Sequence, residues 1–401
     1  MAESFAAARS IILDNVSPLE SESVDLFAAV GRVLVEKIPA PWDMPRWDNS
    51  EMDGFAARVA DCQLFARLKV DGYLPAETPA VDVAVKPGTA VRIMTGAPIP
   101  TGCDAIVPIE NTDPGKESVV IQKLVQIGDY IRFRGSDISK DEMLLPLGTI
   151  LRPVDINLLA AFSRTTVQVC RCPEVAILST GDELVAPGEP TGSGQIIDSN
   201  AYSLAAAIRE IGATPKILGI AQDNRESLEE KISQGLNADV LITSAGVSAG
   251  DRDLVREILE EAGVKQLFWK VAIKPGGPTA FGLKGDKAVF SLPGNPVSSM
   301  IGFAMLVRPA LLKMMGHSEV IRPLIKATLK APLHNKTNKT RFLRVKVEQT
   351  SAGLLAESAG DQNTGILSTM IRANAIAVLS AEQTELLVGE QVDIQWLDSC
   401  I

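Results

Sequence analysis

Glu183, Asp223 and Asp253 each lie a few residues beyond an apolar, β-branched run, and Ser179, Thr180 and Gly181 lead directly into the first of them. Carboxylates gathered at one sheet edge repel one another unless a cation or cationic side chains lie between them. Oxygen ligands of this kind, few in number and beside a phosphate, suit magnesium. Asp223 and Asp253 also precede helical stretches, so helix capping explains them equally well. Spacing alone leaves the two readings level.

Two turns are shaped for anions. One follows Thr243 and contains Ser244, Gly246 and Gly250; the other is Pro293-Gly294-Asn295-Pro296, at the start of a long helix. Both present backbone N–H groups, and phosphate is their natural guest. Neither matches a Walker loop or a dinucleotide fingerprint, so a tight strand-to-helix turn is the competing explanation. Lys270 and Lys274 flank a Pro-Gly segment; lysine serves as a point-charge anion binder, although a pair four apart is also ordinary surface charge. Period-two alternation places Phe342, Arg344 and Lys346 on one strand face, making Arg344 a candidate oxyanion donor. Upstream, the segments around Asp53 and Thr95 are dense in turn formers, and structural turns explain either one. His317 and His334 are the only histidines and neither neighbours a Ser or Cys suggestively, which removes support for triad chemistry.

These residues need a scaffold. From Glu174 to Gly316, β-branched runs alternate with amphipathic stretches, the pattern of a parallel α/β domain. Strands are expected at Val175–Ser179, Lys216–Ile220, Val240–Thr243 and Ala288–Ser291. Helices are expected at Asn200–Ile211, Ser227–Leu236, Asp253–Ala262 and Pro296–Met315, the first capped by Asn200 and closed by Gly212. Ligands of such sheets bind beyond the carboxyl ends of the strands, where the residues above fall. Residues 4–38 read as helical from apolar spacing. Residues 70–151 read as short strands, including Val119–Val125 and Tyr130–Phe133. Residues 152–171 resume a partly helical character, so the first module reads as discontinuous with a β-rich insertion. Beyond Gly316, Arg341–Val347, Ala375–Leu379 and Gln391–Leu397 read as strands of a small β domain.

At 401 residues, 46% hydrophobic, with 31 Gly and 24 Pro, the chain is a multidomain globular protein, neither disordered nor collagenous. A formal charge of -10 argues against nucleic acid or anionic membrane as a general partner. Residues 322–347 run against that sign, with eight Lys and Arg and no acid. The apolar stretch Met300–Met315 is interrupted by Arg308 and Pro309 and is shorter than the roughly 20 residues of a membrane span. No signal peptide is apparent. Five scattered cysteines lack zinc-site spacing and fit a reducing cytoplasm.

Taken together the motifs resemble one family, the molybdopterin molybdenumtransferases, which include the MoeA proteins and the E domain of gephyrin. The carriers are Asn49-Ser50-Glu51-Met52-Asp53-Gly54-Phe55-Ala56, Met94-Thr95-Gly96-Ala97-Pro98, Gly135-Ser136-Asp137-Ile138, Ser179 to Leu184, Ser244 to Ser248, and Leu292 to Pro296. The resemblance implies a homodimer of elongated four-domain subunits. Domain I would comprise residues 1–46 and 138–171, a β-rich domain II 47–137, an α/β molybdopterin-binding domain III 172–318, and a β-barrel domain IV 319–401. It implies insertion of molybdenum from molybdate into adenylylated molybdopterin, with magnesium-dependent release of AMP, in a cleft completed by the second subunit. A molybdopterin adenylyltransferase and molybdoenzyme-maturation proteins would be its partners. Asp53, Thr95, Asp137, Glu183, Asp223, Asp253, Lys270 and Lys274 match positions tied to activity, with Glu183, Asp223 and Asp253 the expected magnesium residues. Arg344 and Ser368 match positions that hold molybdate.

One departure stands out: the family commonly reads Lys-Pro-Gly-Lys-Pro where this chain has Lys274-Pro275-Gly276-Gly277-Pro278. A missing charge-assisted hydrogen bond of about 1.5–3 kcal/mol implies oxyanion affinity roughly tenfold weaker. It leaves open a tungstate-using paralogue, and beyond it an adenylyltransferase-like protein or a non-catalytic scaffold.

Overall fold

The structure, a computed structural model, describes residues 2–76, 83–115, 117–244 and 254–397. The chain gathers into two compact units. One holds the residues up to Val35, 148–153 and 166 onward; the other holds 36–147 and 154–165.

The centre of the first unit is a six-stranded sheet. From one edge its order is Thr214–Ala221, Glu174–Thr180, Val240–Ser244, Lys287–Leu292, Ala280–Lys284 and Lys265–Phe268. The first four strands are parallel and the last two are antiparallel additions. Parallel strands covered on both faces are apolar throughout, and Val240–Ser244 is buried at every position. Alternation sends Val175 and Ile177 into one core and Ala176 and Leu178 into the other. The helices Asn200–Glu210 and Pro296–Gly302 cover the first face, and Arg225–Gly235 and Leu254–Glu261 cover the second. Gly212, at φ +89°, closes the first helix in the left-handed region, as expected of a glycine there.

Arg308 and Pro309 do not end the last helix. A π-helical turn, Phe303–Val307, joins Pro296–Gly302 to Arg308–Met314 and accommodates the missing proline donor. The resulting 19-residue run has mean hydropathy 1.4, but its window is 78% buried within the protein, which marks a core helix.

The helical expectation for residues 4–38 is corrected. Only Phe5–Asp14 is helical, capped by Ser4 Oγ, which accepts from Ala7 N–H at 3.2 Å. Ser21–Asp25 is a strand paired antiparallel with Thr166–Cys170. Long-range pairing wins over apolar spacing, and Leu26 to Val30 form a turn in which Phe27 is 93% exposed.

The C-terminal strands close on themselves. Thr340–Thr350 pairs with Gly353–Ser358 and Ala375–Leu379, and Ile325–Leu329 and Gln391–Trp396 complete the ring of a small barrel. Leu343, Val345 and Val347 fill its interior. The two-residue strand Ile273–Lys274, from the α/β domain, joins the barrel strand Thr340–Thr350 in parallel.

The second unit is built on another six-stranded sheet, in the order Ala105–Pro108, Gly54–Ala57, Thr89–Ile93, Arg67–Leu74, Ser118–Ile121 and Thr112–Pro114. The expected strands near 119 and 131 are present but shorter, as Ser118–Ile121 and Ile131–Arg132.

Candidate functional site

The site is built where the parallel strands end. Glu174–Thr180 runs buried to its last residues, and Gly181 then turns at φ +142°. A Cβ on Gly181 would collide with the Glu183 carboxylate, so glycine is what lets this acid fold back over the strand end. Leu184–Val185 then pairs with Ile196–Ile197 and leads to Asp198 and Asn200.

Asn200 is the clamp of the site. Its Nδ2 donates to Ser244 Oγ at 2.9 Å and to the Gly294 carbonyl at 2.8 Å, tying together the ends of two parallel strands. The sequence reading had Asn200 as a helix cap; instead Asp198 Oδ1 accepts from Ala201 N–H at 3.2 Å, and Asn200 is the first helical residue. Above this clamp lies a cavity of about 430 Å³, lined by Glu183, Asp198, Asn200, Ser244, Gly294 and Asn295 among others. Pro293 and Pro278 also border it, so the end of the Val240–Ser244 strand, the Pro293 to Pro296 turn and Pro278 meet at one place. Asn295 opens the Pro296–Gly302 helix without a side-chain cap bond. Among the described residues, the buried hydroxyls of Ser179 and Thr243 have no hydrogen-bond partner.

Asp223 stands at this sheet edge as expected, and it is not a helix cap. Asn224 Oδ1 fills that role, accepting from Ser227 N–H at 2.9 Å. Asp223 N–H donates to Asp182 Oδ1 at 3.0 Å. Burial, and then the charges of Asp182 and Glu183, push the Asp223 carboxyl above its ordinary value. A divalent cation on these oxygens would relieve that repulsion, so the donor set suits magnesium. Among the described residues no three acidic, His or Cys side chains already converge into a metal-binding group. Asp253, Gly246 and Gly250 lie outside the described residues.

Lys270 and Lys274 are both exposed, and neither ion-pairs with a described carboxylate. Arg344 is placed otherwise than a free donor would be. It is only 1% exposed, and its Nη2 donates to the carbonyls of Asp361 at 2.9 Å and Asn363 at 3.1 Å. Its buried Nε has no partner among the described residues. Ser368 is exposed and begins a short helix, its Oγ accepting from Arg372 Nη2 at 3.0 Å.

Asp53, Thr95 and Asp137 all belong to the second unit. Thr95 donates both its N–H and its Oγ–H to Asp53 Oδ1, each at 2.7 Å, and these bonds hold the Asp53 carboxyl below its ordinary value. Asp137 is exposed, and its N–H donates to the Met44 carbonyl at 3.1 Å. Asp182, Asp198 and Asn200 are the site residues that sequence reasoning passed over. Their signal was only adjacency to the strand ends.

A parallel α/β domain with carboxylates and a helix N-terminus at its strand ends and an appended barrel defines the class of α/β proteins whose ligand sites lie beyond the strand ends. The comparisons make this particular. Residues 3–163 match the MoeA N-terminal region (domains I and II), 176–313 a probable molybdopterin binding domain, and 326–397 the MoeA C-terminal region (domain IV). A molybdopterin molybdenumtransferase of Nostoc sp. is 36% identical over 96% of this chain and 91% of its own. One of Haemophilus influenzae is 35% identical over 97% of both chains. The crystal structure of a molybdopterin biosynthesis MoeA protein from Pyrococcus horikoshii covers 99% of this chain and all of its own, with a TM-score of 0.86 and 31% identity. The chain belongs to the MoeA family, the molybdopterin molybdenumtransferases of molybdenum cofactor biosynthesis. Membership does not favour the tungstate, adenylyltransferase-like or scaffold alternatives.

Proposed function

We propose that this chain transfers molybdenum from molybdate to adenylylated molybdopterin and releases AMP. The observation that carries the reading is the Asn200 clamp. One buried amide ties Ser244, at a strand end, to Gly294 beside a cavity lined by the carboxylates of Glu183 and Asp198 and by Pro278. Within it, the turns and the open N-terminus of the Pro296–Gly302 helix would hold the ligand's phosphates by backbone N–H groups. Lys270 and Lys274 would neutralise the bridging phosphate oxygens, and Ser368 would orient the oxyanion, while the buried Arg344, which is not a free donor, fixes the Asp361 and Asn363 carbonyls. In the hydrolytic step water's oxygen bonds to phosphorus, the bridging P–O bond breaks, and AMP leaves. The proton that water loses passes to solvent, because the Asp223 carboxylate would be engaged by the metal. Magnesium, held by Glu183, Asp223 and Asp253, would supply charge stabilisation at the phosphates.

Asp53, Thr95 and Asp137 lie in the unit built from residues 36–147 and 154–165, and we assign them to the same reaction in a homodimer, with the four domain boundaries given above. A cytoplasmic location accords with the free Cys62, Cys103, Cys170 and Cys172. The deciding experiment is AMP release from adenylylated molybdopterin by the purified protein with magnesium, titrating molybdate and tungstate separately. Molybdate-stimulated release that Asp253→Asn abolishes is the expected result. Tight pterin binding with no release under either oxyanion would overturn it.

A further inference from the structure

We propose that Lys339, from the β-barrel, binds the oxyanion in place of the lysine that position 277 lacks. The assignment rests on the molybdate-transfer reading above.

Gly277 offers no side chain where the resembled motif carries a cation. A Cβ built on it would lie 3.3 Å from the Ile273 carbonyl oxygen, 3.5 Å from that of Val271, and 3.9 Å from Lys339 Nζ. The space a lysine stem would enter is therefore already approached by an ammonium from another part of the chain. Strand pairing brings it there. Ile273 and Lys274 lie opposite Thr340 and Arg341 in parallel register, and Thr340 N–H donates to the Ala272 carbonyl at 3.1 Å. The backbone of Lys339 is itself fixed, because the buried Asn335 donates from Nδ2 to its carbonyl at 3.0 Å.

Charge points the same way. Lys339, like Lys270 and Lys274, has no carboxylate within ion-pair distance among the described residues, whereas nearby Lys326, Lys330 and Lys346 all do. Residues 322–347 contain no acid that could serve it locally. An exposed ammonium whose backbone adjoins the short Ile273–Thr340 pairing and whose Nζ lies by Gly277 is suited to a small dianion, for which lysine is a compact point charge. Two lysines so close would repel, so Lys339 makes a lysine at 277 unnecessary. The deficit expected from Gly277 is then offset.

The test is equilibrium dialysis of full-length protein against molybdate, with sulfate as competitor and with pterin affinity and Tm recorded for each variant. Lys339→Ala should weaken molybdate binding about tenfold, leaving Tm and pterin affinity unchanged. Lys339→Arg should retain most of the affinity, and Gly277→Lys should restore it in the Lys339→Ala background. Wild-type molybdate affinity in Lys339→Ala overturns the assignment, as does a loss matched by equal loss of pterin affinity that Gly277→Lys does not restore. If Lys339→Ala is unaffected while molybdate still stimulates AMP release, only this assignment falls. Wild-type protein that neither binds molybdate nor releases AMP in its presence overturns the functional reading as well.

Discussion

Asp223, at the strand ends of the first unit, and Asp53, in the second unit, have carboxyls displaced in opposite directions, and the causes give opposite pH dependences. Asp223 keeps its proton to higher pH in the folded chain than in the unfolded one, because burial and two neighbouring acids disfavour its charge. Its contribution to stability is therefore present at low pH and is lost as pH rises from the ordinary carboxylate range through its raised value. Asp223→Asn should flatten the dependence of Tm on pH across that interval; on the proposed magnesium site it should also shrink any Tm increase that magnesium gives, and an unchanged increase would remove Asp223 from that set. Asp53 behaves inversely. Thr95 holds it low, so its contribution is present above the ordinary value and is lost as pH falls through the lowered one. Thr95→Val removes the hydroxyl and keeps the backbone donor, so carboxyl NMR should show Asp53 titrating at higher pH than in the wild type. The strand-end position of Asp223 was legible in the sequence because an acid just after a β-branched run in an α/β pattern has few other places to be. Asn200 was not, since an Asn at a helix start reads as a cap and nothing in the sequence shows that its amide joins Ser244 to Gly294.

At the scale of elements, period and turn chemistry carried the α/β domain well. Its four parallel strands lie within a residue or two of their expected bounds because the three inner ones are apolar-rich runs between turn formers and the edge strand Thr214–Ala221 carries a shorter run of the same kind. The N-terminal stretch went wrong because its apolar spacing fits a helix while its pairing partner, Thr166–Cys170, is more than a hundred residues away. The edge of Arg344 was hidden for a similar reason. Alternation placed it on the outer face of its strand correctly, but burial beneath Asp361 and Asn363 is tertiary. Gly54 gives an element-level prediction. It pairs with Ile93 on one side and Pro108 on the other, and a Cβ there would run into the Val107 carbonyl. Gly54→Ala should cost about 1–3 kcal/mol by forcing these strands apart, read as a lower urea midpoint with an unchanged slope. Asn200→Ala acts between elements and should cost a similar ~1–3 kcal/mol by leaving the buried Ser244 hydroxyl and the Gly294 carbonyl without their donor, with a larger loss of pterin affinity than of stability. Pterin affinity equal to the wild type's would show that the clamp does not shape the cavity.

For the molecule, the question is how the barrel and the α/β domain are joined. Lys270 and Lys274 leave the α/β sheet and the second enters the barrel by pairing with Thr340–Thr350, so the basic segment belongs to both folds at once. The packing agrees. Phe342 leaves the barrel strand on the face opposite Leu343 and joins the α/β core with Ala8, Ile12 and Phe290. Its ring meets that of Phe5 edge-on at 5.0 Å, so the N-terminal helix, the sheet and the barrel share one apolar cluster. Elements that share a core unfold together, because breaking any one exposes the apolar surface of the others. Phe342→Ala should therefore destabilise by about 3–5 kcal/mol. Hydrogen exchange should accelerate in Phe5–Asp14 and in the Val240–Ser244 strand as well as in the barrel. Acceleration confined to the barrel would mean that it is an independent appendage, and the positions of Lys274 and Lys339 relative to the cavity would then depend on a joint the core does not fix.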